Sequence, residues 1–278
     1  MKKLLLLAMC AIGLSSVNAQ MKEGTIIYER KINMYKTITD EQIRAMVPEF
    51  RTSKHSLIFS DSTSIYKAVP EDEAPDPFAG GGGRVFIRMG GADGGELYKN
   101  FATYKSIQSS ELGAKTYIIE DSIRQQKWKL TDETKKIAGH NCRKATTQQT
   151  MMGGGGVTRI ISSTNGGSST KTDTTAPPQV KTKQVDVVAW YAEDIISPVG
   201  PENNGGLPGV ILQLDINDHE TVYTATEIKS EVNKKELKEP SKGKKVTKDE
   251  FRKLQMDAMQ NMNMPGGGGV RTMRFGGA

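Results

Sequence analysis

The chain's 278 residues suit one large domain or two small ones and exceed what a disulfide-stapled peptide needs. Apolar residues make up only 36% and 29 positions are Gly, so part of the length must be loop or tail rather than packed core. The composition excludes a collagen, a coiled coil and a polytopic membrane protein, because no apolar run after residue 20 approaches the roughly 18–20 residues of a spanning helix.

The first element is a leader. Lys2 and Lys3 precede an apolar stretch from Leu4 to Leu14, and Val17-Asn18-Ala19 forms a small-residue cleavage site before Gln20. Cys10 sits too early in the chain, behind the bulky Met9, to be a lipid acceptor. Residues 1–19 are therefore expected to be removed, leaving an exported chain of the periplasm or cell envelope, or of the cell surface, without a membrane span. The formal net charge of +6 falls by two with the leader, too mild a balance to point to nucleic acid. One cysteine remains, Cys142, so no internal disulfide is expected.

The following stretch reads as β. Thr25 to Ile32 is rich in branched and aromatic residues, and Ser56–Phe59 and Ser64–Val69 flank the turn-forming Ser60-Asp61-Ser62-Thr63. Further strands are predicted at 85–88, 97–106, 115–120, 126–130, 141–147, 185–191, 210–216 and 221–228. Two capping boxes open helices. Thr39-Asp40-Glu41-Gln42 precedes Ile43, Met46 and Val47, and Thr247-Lys248-Asp249-Glu250 precedes Phe251, Leu254, Ala258 and Met259. The charged stretch 229–245 between sheet and second helix reads as a solvated tether. The expected fold class is mainly β: a curved antiparallel sheet, like the half-barrel of periplasmic lipoprotein carriers, with one or two short helices.

The expected β domain spans residues 20–230 with Gly-rich insertions near 71–96 and 150–184, and residues 231–278 form the charged linker, an amphipathic helix and a Gly/Met-rich tail. GGGGRVFIRMGG at 80–91 and GGGGVRTMRFGG at 266–277 resemble each other, placing Arg88 with Met89 and Arg274 with Phe275 at matching positions. They read either as compositional drift or as a duplicated partner-contact element. Met256, Met259, Met262 and Met264 offer soft thioethers suited to Cu(I), or else adaptable packing.

Catalytic signatures are absent from the sequence. Three histidines, His55, His140 and His219, lack metal-site spacing, and no GxSxG, HExxH, CxxC or Walker lysine occurs. Cys142 with His140 is the only candidate nucleophile arrangement, and a buried structural thiol is the competing reading. Asp215-Ile216-Asn217-Asp218-His219-Glu220 gathers potential ligands but has the residues of a hairpin turn. No cofactor is implied.

The most specific stretch is Gly206-Leu207-Pro208-Gly209-Val210-Ile211, preceded by Val188-Ala189-Trp190-Tyr191-Ala192-Glu193-Asp194-Ile195. With Trp128 and the block Lys136 to Ala145 upstream, it resembles the GLPGLI family of exported proteins of Gram-negative bacteria, with Val210 in the fifth place of the motif. The resemblance implies export and a β domain and names no activity. Two glycines around Pro208 make the motif a rigid turn launching an apolar strand, read as a fold-defining corner or as a ligand-contacting one. The function expected is a non-catalytic envelope protein that binds an apolar ligand or an outer-membrane partner. Cu(I) handling and Cys-dependent catalysis are the alternatives.

Overall fold

A computed structural model of the chain describes residues 20–38, 41–45, 47–70, 95–152 and 182–262; the side chains of Ile43 and residues 259–262 lie outside that description. The expected leader, the predicted strand at 85–88 and both Gly-rich arms also fall outside it.

Among the described residues twelve strands form one sheet: β1 (Gly24–Asn33), β2 (Phe50–Phe59), β3 (Thr63–Ala68), β4 (Glu96–Asn100), β5 (Lys105–Leu112), β6 (Lys115–Ser122), β7 (Lys129–Ile137), β8 (His140–Met152), β9 (Thr182–Ala192), β10 (Val210–Ile216), β11 (Thr221–Lys229) and β12 (Lys244–Thr247). Their order is β12-β6-β5-β4-β3-β2-β1-β11-β10-β9-β8-β7. Neighbours run antiparallel except β12, which lies parallel to β6. The sheet is open, with β12 and β7 at its two ends. Two single-turn helices, α1 (Met34–Thr37) and α2 (Glu41–Arg44), follow β1, and α3 (Lys248–Met262) follows β12.

Alternation sorts the side chains into two faces. On the inner face the register aligns Ile26, Leu57, Tyr66 and Leu97 across β1 to β4. It also aligns Arg30, Tyr223, Leu214, Ala189 and Ala145 across β1, β11, β10, β9 and β8. The apolar members of both rows belong to one buried cluster. The sheet curves strongly around that cluster. β4 and β8 stand seven inter-strand steps apart, roughly 33 Å in a flat sheet. Yet Lys99 of β4 hydrogen-bonds Glu202 while Gln149 of β8 hydrogen-bonds Asn204, two residues along the same loop. The curved antiparallel sheet expected from sequence is thus present as an open trough.

Helix α3 lies against the end of the sheet on this same inner face. The capping box forms as expected: the Thr247 amide donates to Glu250 Oε2 at 2.7 Å and the Glu250 amide to Thr247 Oγ1 at 3.2 Å. Phe251 packs on Tyr117, ring centroids 5.5 Å apart, beside Ile119, Val246 and the half-buried Leu254. Sequence alone did not show that Asn33 caps α1, accepting from the amides of Tyr35 and Lys36.

The charged stretch after β11 differs from a solvated tether. Thr25 Oγ1 donates to the Glu231 carbonyl, Lys67 pairs with Glu236 at 2.7 Å and Lys105 with Glu239 at 3.4 Å, so residues 230–243 cross the outer face from β1 to β6. On that face Ile58, Ile65, Tyr98 and Ile107 form a row in register, all buried. The stretch is a strap that ties β12 and α3 to the sheet, which therefore continues beyond residue 230. Its charges mislead because a salt-bridged segment and a free one share a composition.

Candidate functional site

The β9–β10 connection, residues 193–209, turns into the trough and fills it. Ile195, Val199 and Leu207 are buried in the core, and Val210-Ile211-Leu212 continue fully buried into β10. Two glycines of the motif are required for different reasons. Gly206 adopts φ +83°, in the left-handed region, with its amide on the Pro198 carbonyl at 2.9 Å. Gly209 passes so close to β9 that a Cβ there would lie 1.8 Å from the Ala192 carbonyl oxygen.

Side chains from several strands hold the corner. Trp128 Nε1 donates to the Gly205 carbonyl at 2.9 Å. The buried Asn204 carboxamide accepts from Gln126 at 3.1 Å and Gln149 at 2.7 Å and donates to the Pro201 carbonyl at 3.2 Å. From the other wall Lys99 Nζ donates to the Glu202 carbonyl at 2.6 Å, and Tyr223 Oη donates to Glu202 Oε1 at 2.5 Å. The Arg30 guanidinium lies 4.0 Å from the same carboxylate and 5.7 Å from the Tyr223 ring centroid. Nearby in the register, the His55 and Tyr66 rings stack 5.2 Å apart. Burial pulls the Lys99 ammonium down to about 8, with Glu202 opposing the shift, and pushes the Tyr223 phenol well above its ordinary value. An amine, a carboxylate and a phenol are also the parts of acid–base chemistry. Here their hydrogen bonds are made to each other and to the loop backbone, so the arrangement clamps the corner into the trough.

Cys142 is buried, and desolvation followed by the charge of Asp194 pushes its thiol up to about 11. The His140 ring is bonded to Asp194 at 2.7 Å, while the Cys142 thiol points at the His140 carbonyl at a weak 3.7 Å. The two side chains do not form a nucleophile–base pair. Cys142 in the native chain is expected to react with iodoacetamide at pH 7.5 at least about 100-fold slower than in urea, a ratio set by its thiolate fraction and burial. Equal rates, followed by intact mass, would show an accessible thiolate.

The run from Asp215 to Glu220 is a hairpin turn: Asn217, Asp218 and His219 all have φ between +52° and +63°. Asp215 accepts from the His219 amide and Asp218 pairs with Lys36 at 2.8 Å. Among the described residues no group of three His, Cys, Asp or Glu is placed to hold a metal. Helix α3 carries Met256, exposed, and the backbone of Met259 and Met262 at three-residue spacing, while Met264 lies outside the described residues. Arg88, Met89, Arg274 and Phe275 also lie outside them.

Sequence reading passed over one further feature. On the outer face of β7 to β10, an open groove of about 400 Å³ is lined by Lys135, Lys144, Val188, Trp190, Gln213 and Asp215 among others. Lys135 reaches across two strands to set its ammonium 4.1 Å from the Trp190 ring centroid and onto Gln213 Oε1. The sign in the sequence was the alternation of β9, where Val187, Ala189 and Tyr191 point into the core and leave Asp186, Val188 and Trp190 facing out.

Residues 128–213 match the model of a family described as "Protein of unknown function (Porph_ging)". The match runs from the Trp128 clamp through the corner into β10, and its description does not carry the GLPGLI name. No curated protein matches the chain. Two solved structures of PNGF-II, in C2 and P21 space groups, each share 13% identity over 85% of this chain at a TM-score of 0.49. The chain spans 33% and 34% of their lengths, about a third.

Proposed function

We propose that the chain is an exported, non-catalytic binding protein of the cell envelope that works through the outer groove around Trp190. The observation that carries this reading is the filled trough. The chain's own corner occupies the space in which a half-barrel carrier would hold an apolar ligand, with Lys99, Trp128, Gln149 and Tyr223 bonded to it from both walls. The outer groove instead presents a half-buried indole and several polar groups to the surroundings. Export rests on the leader; just past its expected end Met21 pairs with Ile195, its amide on the Asp194 carbonyl at 3.1 Å.

The test is affinity capture from solubilised envelope with the tagged wild type and with Trp190→Ala, scoring recovered proteins and glycans together. Wild-type capture reduced at least about tenfold by the substitution, about 1.4 kcal/mol of binding, is expected. Identical recoveries would remove the groove from the function.

A further inference from the structure

Resting on that reading, we propose that the groove's ligand is a neutral oligosaccharide. Its floor and rim differ in chemistry. Trp190 and Val188 of β9 supply apolar surface, and Asp186, Asp215, Gln213, Lys135, Lys144 and His219 supply acceptors and donors around it. The volume of about 400 Å³ is at the small end of small-molecule sites.

Charge decides between ligand classes. Lys135 and Lys144 stand against Asp186 and Asp215, Lys144 is further paired with Glu133 at 2.8 Å, and Asp218 at the rim is paired with Lys36. These charges nearly cancel, so the groove has no field with which to select a phosphate, a polyanion or a basic peptide. Selectivity must come from hydrogen bonds interleaved with apolar contact. A sugar ring matches that pattern, because each hydroxyl both donates and accepts while its C–H groups pack on Val188 and on the part of the half-buried indole that Lys135 leaves uncovered. The site is also set before a ligand arrives. Lys135 over the ring and on Gln213, and His219 paired with Asp215, hold the indole, the amide and the carboxylate in fixed orientations.

The experiment titrates the full chain with cellotetraose, maltotetraose and chitotetraose, and with an anionic hyaluronan tetrasaccharide, by calorimetry and tryptophan fluorescence. Saturable binding of at least one neutral tetrasaccharide is expected, weakened at least tenfold in Trp190→Ala and also in Gln213→Ala, with urea midpoints showing both variants folded. No binding by any neutral probe, preference for the anionic one, or binding unchanged in both variants overturns the proposal. The envelope capture separates the two readings. Trp190-dependent recovery of a protein without saccharide binding refutes the ligand class and keeps the groove, whereas Trp190-independent recovery refutes both.

Discussion

Gly209→Ala is expected to prevent folding or to lower the unfolding free energy by more than about 4 kcal/mol, while Gly206→Ala three residues earlier costs only about 1–2 kcal/mol. At Gly209 the added methyl would meet backbone rather than a yielding side chain: the Ala192 oxygen at 1.8 Å, its carbon at 2.7 Å and the Glu193 Cα at 3.3 Å. Ala192 is the partner of Val210 in the β9–β10 ladder, so relief requires parting those strands where the core is fully buried. At Gly206 no atom lies within 4 Å of a Cβ, and the penalty is confined to the left-handed backbone. Urea unfolding followed by circular dichroism and tryptophan fluorescence measures both. Equal, small losses would mean that the corner does not press against β9.

The second large effect is a pH dependence localised to Lys99. Its ammonium is held down to about 8 in the folded chain, against an ordinary value of 10.5. Between those two values the unfolded chain binds a proton that the folded chain does not, so stability rises with pH across that window. Below it both states are protonated and the full cost of burying the charge applies, on the order of 3 kcal/mol. Cys142, raised from 9.0 to about 11, and the buried phenols of Tyr28 and Tyr223 act in the opposite sense, losing stability as alkali removes their protons. A comparison with Lys99→Met cancels them. From pH 7.5 to 9.5 the wild type is expected to gain about 2 kcal/mol relative to the variant. Parallel stability curves would show that the Lys99 amine reaches water instead of the Glu202 carbonyl.

The fold class and most strand positions were legible because the inner face writes period-two alternation into β1, β9 and β10. The corner was legible too, since glycines around a proline have few uses. Three things were not. The clamp joins Arg30, Lys99, Glu202 and Tyr223 from four distant places in the chain, and only the curvature of the sheet brings them together. The strap looked like a tether because its carboxylates find lysines on β3 and β5, a pairing that no local pattern contains. The groove was hidden because Trp190 follows the alternation of its own strand, while its companions Lys135 and Gln213 come from β7 and β10. Cys142 shows the converse: His140 two residues away suggested a catalytic pair, and Asp194 from the β9–β10 connection takes the imidazole instead.

The place of β1 within the sheet governs when this protein can fold. It is the first of the described strands in chain order, yet it lies between β2 and β11, and Thr25 bonds Glu231 across 206 residues of sequence. The ladder between β1 and β11 cannot form until the C-terminal strands have been synthesised, and closing so distant a pairing is slow compared with local hairpins. A growing chain thus has β1 unpaired on its β11 side throughout synthesis, and that exposed edge depends on holding chaperones until β11 arrives.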